Sequence, residues 1–209
     1  MLTDEHIQKQ IGHILKKMQG NFGLNEPMIL GVGALTVAWG VFECNLETAI
    51  WRVARENPEG GRPSTDAQPV SDWIIRFRKE CSRLPNGFDD AASEACDAAE
   101  DLLVFRNTII HGWAVPPSVG GPMFIRNPGW FRTKRKRDTS DAHISEQTLS
   151  MAVQCADWLL ETTTVISLYS ERDDEDYFPP EDLSRKIHTA RSYANELRHL
   201  SDLMNHEKY

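Results

Sequence analysis

The sequence predicts an all-α protein, a bundle of about five to six helices with a small β-hairpin or extended basic insertion after the fourth helix. Apolar residues recur at three- and four-residue steps through most of the 209 residues, as expected for helices that bury one face. Only residues 113–138 combine β-prone runs with turn residues. With 40% apolar content, we expect a single domain over residues 1–209. Its core is expected at about 30–170, with helices at 3–19 and 180–206 added to the bundle.

Four helices are predicted before the insertion. The first runs from about Thr3 to Gln19 and carries isoleucines at helical spacing. The third starts near Pro69, after a Gly- and Pro-rich loop, and the fourth covers about 88–111. The acidic start of the fourth helix suits the positive end of the helix dipole. The second helix covers about 30–56, and its apolar stripe consists of Leu35, Trp39, Phe42, Leu46, Ile50 and Val53.

Two further helices are predicted after the insertion. Ser145 is a favoured N-cap residue, and Ile144 and Leu149 have the spacing of a hydrophobic staple, so the fifth helix is expected to start there. A pair of prolines precedes the sixth helix, which is expected to begin at about residue 180.

Composition excludes several classes of protein. A net charge of −8 and a pI of about 5.4 exclude binding of nucleic acid through the overall charge. The four cysteines form no CxxC pair, which argues against a zinc knuckle and a secreted disulfide framework, and favours reduced thiols in a cytoplasmic protein. The longest apolar run, at 28–42, is shorter than the roughly 20 residues that span a bilayer, so we expect no membrane partner. No HExxH or phosphate-loop motif is present, so we expect no metal and no cofactor.

The fourth helix ends in "VFRNTIIHGW", residues 104–113, where three polar side chains interrupt an apolar run. On a helix, Asn107 and His111 lie about 40° apart and share a face, whereas Arg106 and His111 lie about 140° apart. Two copies of the helix packed across a twofold axis could bring each Arg–His set close to the other. Gly112 is expected to adopt the left-handed conformation that ends many helices.

A capped helix end is the simpler interpretation of these residues. Arg106 and Asn107 would then face water, and His111 would only satisfy a backbone carbonyl of the last turn. The spacing does not separate this interpretation from a catalytic pair, because so short a motif often matches by chance.

The string "RNTIIHG" resembles the signature of the HEPN superfamily, small all-α domains of prokaryotic toxin-antitoxin, abortive-infection and other defence systems. That signature is an Arg followed after four to six residues by a His, often with Asn directly after the Arg. Here it closes a core helix, the long apolar helix containing "VFECNLETAI" precedes it, and a long amphipathic helix follows. The resemblance covers about residues 30–170.

The resemblance implies a metal-independent endoribonuclease whose active site forms across a homodimer. It implies that His111 exchanges a proton with the ribose 2′-hydroxyl or the leaving 5′-oxygen, and that Arg106 stabilises charge on the phosphate. Asn107 would orient the histidine or a phosphate oxygen, and the products would carry 2′,3′-cyclic phosphate and 5′-hydroxyl ends. Related toxins commonly have a Tyr that an antitoxin modifies two residues after the His. This chain has Trp113 there, so control by an antitoxin or a second defence protein is left open.

A basic strip at 126–137 follows the motif and contains no acidic residue. Its "NPGW" sequence has turn residues at Pro128 and Gly129, which favours a small hairpin or an extended loop. An extended strip could hold an RNA backbone, with Trp113, Trp130 or Phe131 as platforms for unstacked bases. The alternative is a solvated charged loop. The cations of the strip are Arg126, Arg132, Lys134, Arg135, Lys136 and Arg137.

Three functions are therefore left open: a HEPN-type ribonuclease, a catalytically silent HEPN-like module that binds RNA, nucleotides or a partner protein, and an unrelated helical protein. Only the first two require Arg106 and His111 to converge in a cleft. Glu43 and Glu47 on the second helix are expected to pair with Arg106 or Arg52 rather than to bind a metal.

Overall fold

The computed structural model describes residues 4–85, 87–118, 121–126, 141–170 and 179–206, and this part of the chain contains six helices and a three-stranded antiparallel sheet. The predicted fold class, an all-α bundle with a small hairpin, is confirmed. The elements in chain order are α1 (Asp4–Phe22), α2 (Glu26–Val53), α3 (Val70–Cys81), α4 (Phe88–His111), β1 (Trp113–Ser118), β2 (Gly121–Ile125), β3 (Ala142–His143), α5 (Glu146–Ser170) and α6 (Glu181–His206).

The core lies between α2, α4 and α5, while α3 packs against α2 and α4, and α6 against α4 and α5. Ring stacking between Phe88 and Tyr169, with centroids 4.0 Å apart, joins the start of α4 to the end of α5. Complete burial of one large apolar side chain stabilises the fold by about 1.5–3 kcal/mol. The largest fully buried side chains come from four helices and include Trp39, Phe42, Phe77, Phe88, Leu102 and Leu159.

Side-chain caps set the starts of the two longest core helices. The Asn25 side chain accepts a hydrogen bond of 2.9 Å from the Met28 amide, so α2 starts at Glu26, four residues before its predicted start. Ser145 accepts a bond of 3.0 Å from the Thr148 amide, which confirms the predicted cap of α5. Asn25 also donates to Glu146 at 2.8 Å and so ties the two helix starts together.

The small sheet connects the end of α4 to the start of α5. β1 and β2 form an antiparallel hairpin with Trp113 opposite Ile125, and β2 pairs with β3 through Met123 and His143. The hairpin is thus present, but its turn falls between Ser118 and Gly121 rather than at "NPGW". That "NPGW" sequence, at 127–130, lies outside the described residues.

The two terminal helices differ in how much they bury. α6 packs against the bundle, and Asp101 of α4 accepts bonds of 2.7 Å from Arg191 and 2.9 Å from Arg198 on that helix. α1 has an equally regular apolar spacing, yet none of its residues is buried, and only Met18 and Phe22 pack against the core. Spacing shows that a helix has an apolar face, whereas the surrounding elements decide whether anything covers it.

Within the described residues, α2 is the one helix that is long and apolar enough to cross a membrane, judged by its length and composition alone. A core helix of a soluble protein passes the same test. One side of α2 is buried against the bundle through residues such as Trp39 and Phe42, and the other side exposes Leu30, Val37 and Val41.

All four cysteines are free thiols. Cys44 is exposed on α2, whereas Cys81, Cys96 and Cys155 are buried. Burial raises the pKa of the Cys96 and Cys155 thiols to about 12. The expected free and mostly buried thiols are therefore present.

Candidate functional site

The "RNTIIH" sequence forms the last turns of α4, and the helix ends at His111, as predicted. Phe105, Thr108 and Ile109 of this segment are buried and hold the helix end against the core. Thr108 satisfies its hydroxyl within the helix by donating to the Val104 carbonyl at 2.9 Å. The residues between these buried positions are consequently held on the other side of a rigid helix.

Arg106 and Asn107 bind each other rather than facing water. The Arg106 Nη1 donates to the Asn107 Oδ1 over 2.9 Å, and both side chains are partly buried. Because Asn107 shares a helix face with His111, this bond turns the guanidinium toward the histidine side of α4. The guanidinium is thus held at Asn107, whose position on the helix is about 40° from that of His111.

Arg106 retains free donors in this arrangement. Its Nε is buried and has no hydrogen-bond partner in the part of the chain that the structure describes. No carboxylate among the described residues lies within ion-pair distance of the guanidinium, although the protein carries 31 acidic residues. An unpaired guanidinium on an acidic protein is suited to bind an anion.

His111 is exposed at the end of α4. Over the described ranges, its imidazole takes part in no hydrogen bond or ion pair, so it does not serve to satisfy a backbone carbonyl. The ring is therefore open to a ligand or to solvent. Imidazole is the side chain that most readily both accepts and gives up a proton near neutral pH.

Gly112 ends α4 in an extended conformation, with φ −89° and ψ 172°, so the expected left-handed conformation is wrong. The need for glycine is steric. A Cβ at this position would lie 2.1 Å from the Thr108 carbonyl oxygen and 3.2 Å from that of Ile125. Glycine is therefore required mainly by the last turn of α4 itself, and the end of β2 adds a second, milder contact.

The register of the hairpin brings the first residue of the basic strip to the motif. Trp113 pairs with Ile125, and the Ile125 carbonyl oxygen lies close to Gly112, so the backbone of the next residue, Arg126, starts near the end of α4. Trp113 itself is 59% exposed at the start of β1. The other predicted RNA-binding residues lie outside the described part of the chain: Trp130, Arg132, Lys134, Arg135, Lys136 and Arg137.

Two apolar residues of the motif are exposed beside its polar side chains. Val104 and Ile110 are 41% and 38% exposed, and Val104 lies on the same face as Asn107 and His111. The exposure of Val104 could have been predicted from the sequence, since Val104 precedes Asn107 by three residues and His111 by seven. A face that exposes the polar pair must expose Val104 as well.

Glu43 and Glu47 have other partners than the two arginines considered from the sequence. The Trp39 indole donates to Glu43, and the Thr65 hydroxyl donates to Glu47 at 2.6 Å. These bonds hold α2 and the loop before α3 in place. A search of the described residues finds no group of three or more His, Cys, Asp or Glu side chains that could hold a metal ion.

Comparisons with known proteins give no relative for this chain: no family model, no curated protein and no solved structure matches it.

Proposed function

We propose that this protein is a metal-independent endoribonuclease of HEPN type, with an active site formed across a homodimer. The observation that carries the proposal is the pairing at the end of α4: a guanidinium that has no carboxylate partner among the described residues, bonded to Asn107 on the helix face that exposes His111. These are the two groups that 2′-hydroxyl attack on a neighbouring phosphate requires, a proton carrier and a stabiliser of phosphate charge.

Each residue has a role that fits its position. His111 removes the proton of the ribose 2′-hydroxyl or protonates the departing 5′-oxygen, and its exposure leaves both approaches open. Arg106 binds the phosphate through its free guanidinium donors, and the bond to Asn107 holds that fork in place. The 2′-oxygen forms a bond to phosphorus as the bond to the 5′-oxygen breaks, giving 2′,3′-cyclic phosphate and 5′-hydroxyl ends.

A second copy supplies what one α4 helix lacks. Each helix end carries one imidazole, while the reaction needs one group to take a proton and another to give one. Two helix ends that face each other across a twofold axis supply both. Arg126, whose backbone starts near the end of α4, begins the basic strip that would hold the RNA backbone next to this site.

We place the enzyme in the cytoplasm, in a toxin-antitoxin or phage-defence system. In that setting its activity needs restraint by an antitoxin or a second defence protein. Trp113 offers no hydroxyl for modification, so the restraint acts by another route, such as occlusion of the exposed indole and of the adjacent His111.

The test is incubation of the purified protein with total RNA in EDTA. Wild type is expected to cleave, and His111→Ala to lose about 100-fold or more of the rate, the usual contribution of a proton-transferring side chain. Arg106→Ala should lose a similar amount, and Arg106→Lys should recover only part of it, since lysine keeps the charge but not the planar fork. A deoxyribose at the mapped cut site should block the reaction.

Matched controls exist on the surface. His199→Ala removes another exposed histidine, and Arg62→Ala removes an arginine whose side chain is 90% exposed. Both should cleave like wild type. Equal cleavage by His111→Ala and wild type would refute the assignment, and RNA binding without cleavage by wild type would support the catalytically silent RNA-binding module instead.

A further inference from the structure

α1 presents an apolar face that its own chain leaves open. Ile7, Ile11 and Ile14 are 39%, 44% and 53% exposed, and the next residue of this row, Met18, packs against the core. The steps of four, three and four residues are those of a coiled-coil seam. We call this row the α1 seam, and its exposed turns remain available to a second helix.

α2 carries a similar row on the side away from the core. Its members are separated by four, three, four and three residues and are all exposed. Leu30, Val37 and Val41 are the largest of them, at 66%, 68% and 48% exposure. We call this row the α2 seam, and it consists of Leu30, Ala34, Val37, Val41 and Cys44.

Two glycines beside the α2 seam leave room that one copy of the chain does not use. A Cβ at Gly33 or Gly40 would meet no atom within 4 Å, whereas a Cβ at Gly31 would lie 3.0 Å from Leu149. Glycine destabilises a helix interior relative to alanine, and packing within the chain explains only Gly31. The space at Gly33 and Gly40 lets another helix approach the α2 backbone closely.

We propose that the α1 seam of one copy of this chain binds the α2 seam of a second copy, and that the exchange is reciprocal. The isoleucines of α1 are bulky, and the α2 seam is recessed at its glycines and at Ala34, so the two surfaces are complementary in shape. Two identical contacts related by a twofold axis close the dimer without leaving either seam open.

Charge favours the same partner. α1 carries three lysines and two acidic residues, in a chain whose net charge is −8. Residues 27–42 of α2 carry no charge. A slightly basic helix therefore meets an uncharged strip on an acidic body, and the two copies approach each other where their repulsion is weakest.

The length of the α1 seam limits the area of the contact. The row from Ile7 to Met18 covers a strip about 18 Å long and about 10 Å wide. Two such contacts bury about 700 Å² in total, below the standard size of a specific interface, so we expect a weak dimer that forms at high protein concentration.

This interface would supply the second copy that the composite ribonuclease site needs. Its role therefore rests on the proposed function, whereas the contact itself is argued from the two seams alone. α1 packs against β1, and β1 starts two residues after His111. A copy bound along α1 therefore lies on the side of the molecule that carries the candidate site.

Sedimentation of the full chain over a concentration series tests the contact. Val37→Glu and Ile11→Glu should each raise the dimer dissociation constant at least roughly 100-fold, because every substitution acts at both symmetric contacts. Ile75→Glu is the matched control, since Ile75 is 61% exposed on α3, and it should change the constant less than about threefold. A monomeric wild type, or seam variants that dimerise like wild type, would overturn the proposal.

The native Cys44 allows the two seams to be identified directly. Ile7→Cys or Ile14→Cys should give a disulfide-linked dimer on a non-reducing gel, and Cys44→Ser in the same chain should abolish it. A faster-migrating monomer would show that α1 folds onto its own α2. Cross-linking of wild type through Cys44 alone would show α2 against α2, and a cross-link that survives Cys44→Ser would show α1 against α1. Each of these three results contradicts the exchange.

Two further readouts separate this interface from a membrane and from the ribonuclease. Flotation of wild type, but not of Val37→Glu, with phospholipid vesicles would assign the α2 seam to a bilayer and overturn the proposal. RNA cleavage is measured independently: a dimer through these seams that leaves RNA intact supports the interface and refutes the ribonuclease. A monomeric wild type that cleaves RNA refutes both the interface and the composite site, and keeps only the ribonuclease activity.

Discussion

Replacement of Gly112 by alanine tests the crowding at the end of α4, where the candidate site joins the sheet. Alanine adopts the backbone conformation of Gly112, φ −89° and ψ 172°, without strain. Its Cβ, however, would lie 2.1 Å from the Thr108 carbonyl oxygen and 3.2 Å from the Ile125 carbonyl oxygen. Both are backbone atoms, so either the last turn of α4 or the end of β2 must move.

The expected loss follows from that crowding. Overpacking of a well-packed site costs about 1–3 kcal/mol, and we expect Gly112→Ala at about 2–3 kcal/mol because no flexible side chain can yield. In a domain of this size, 1 kcal/mol lowers the Tm by about 2–4 °C, so the variant should melt about 4–12 °C below wild type. His111 precedes Gly112, so RNA cleavage should fall about 10-fold to 100-fold as the site shifts.

Thermal unfolding followed by circular dichroism measures the loss, with Gly61→Ala as the matched control. A Cβ at Gly61 would meet no atom within 4 Å, so this variant should stay within about 0.5 kcal/mol of wild type. If Gly112→Ala melted within about 1 °C of wild type, the crowding at the end of α4, chiefly between position 112 and the Thr108 carbonyl oxygen, would be refuted.

Two further predictions concern the thiols and a carboxylate near α3. At pH 8 a thiol reagent should modify Cys44 alone in the native protein and all four cysteines in denaturant, because burial raises the pKa of the other three: Cys81, Cys96 and Cys155. Bonds from the Ser64 hydroxyl and amide, and then from Arg76, lower the pKa of Glu56. The stability that this carboxylate contributes is present above its unfolded pKa and lost as the pH falls through the folded one. Glu56→Gln should therefore lower the free energy of unfolding by about 1 kcal/mol at pH 7, and the deficit in urea unfolding should shrink as the pH falls below about 4; an equal deficit at pH 7 and pH 3 would contradict the assignment.

Local signals predicted the helices well. The acidic start and the glycine after His111 bound α4 to the residues observed, and Ser145 caps α5 as expected. Such signals depend on hydrogen bonds and dihedral preferences within a few residues, which the sequence states directly.

Features that depend on distant residues were predicted less well. The turn of the hairpin was expected at 127–130, yet β1 and β2 pair across residues 119 and 120, because strand register depends on what packs against each face. Gly112 was expected in the left-handed region, but part of its role depends on Ile125, which approaches from another element. Neither the strand register nor the crowding at Gly112 can be predicted from the spacing of apolar residues along one helix.

The sequence by itself determined that this protein is a helical bundle and that Arg106, Asn107 and His111 stand together at the end of one of its helices, since helical spacing and capping are local properties. The tertiary structure alone decided that Arg106 bonds to Asn107 and to no carboxylate among the described residues, that the Ile125 carbonyl oxygen lies close to Gly112, and that the α1 and α2 seams are left uncovered. The physical reason is that hydrogen-bond partners and buried area depend on which elements pack against each other, and this packing cannot be predicted from any single segment of the chain.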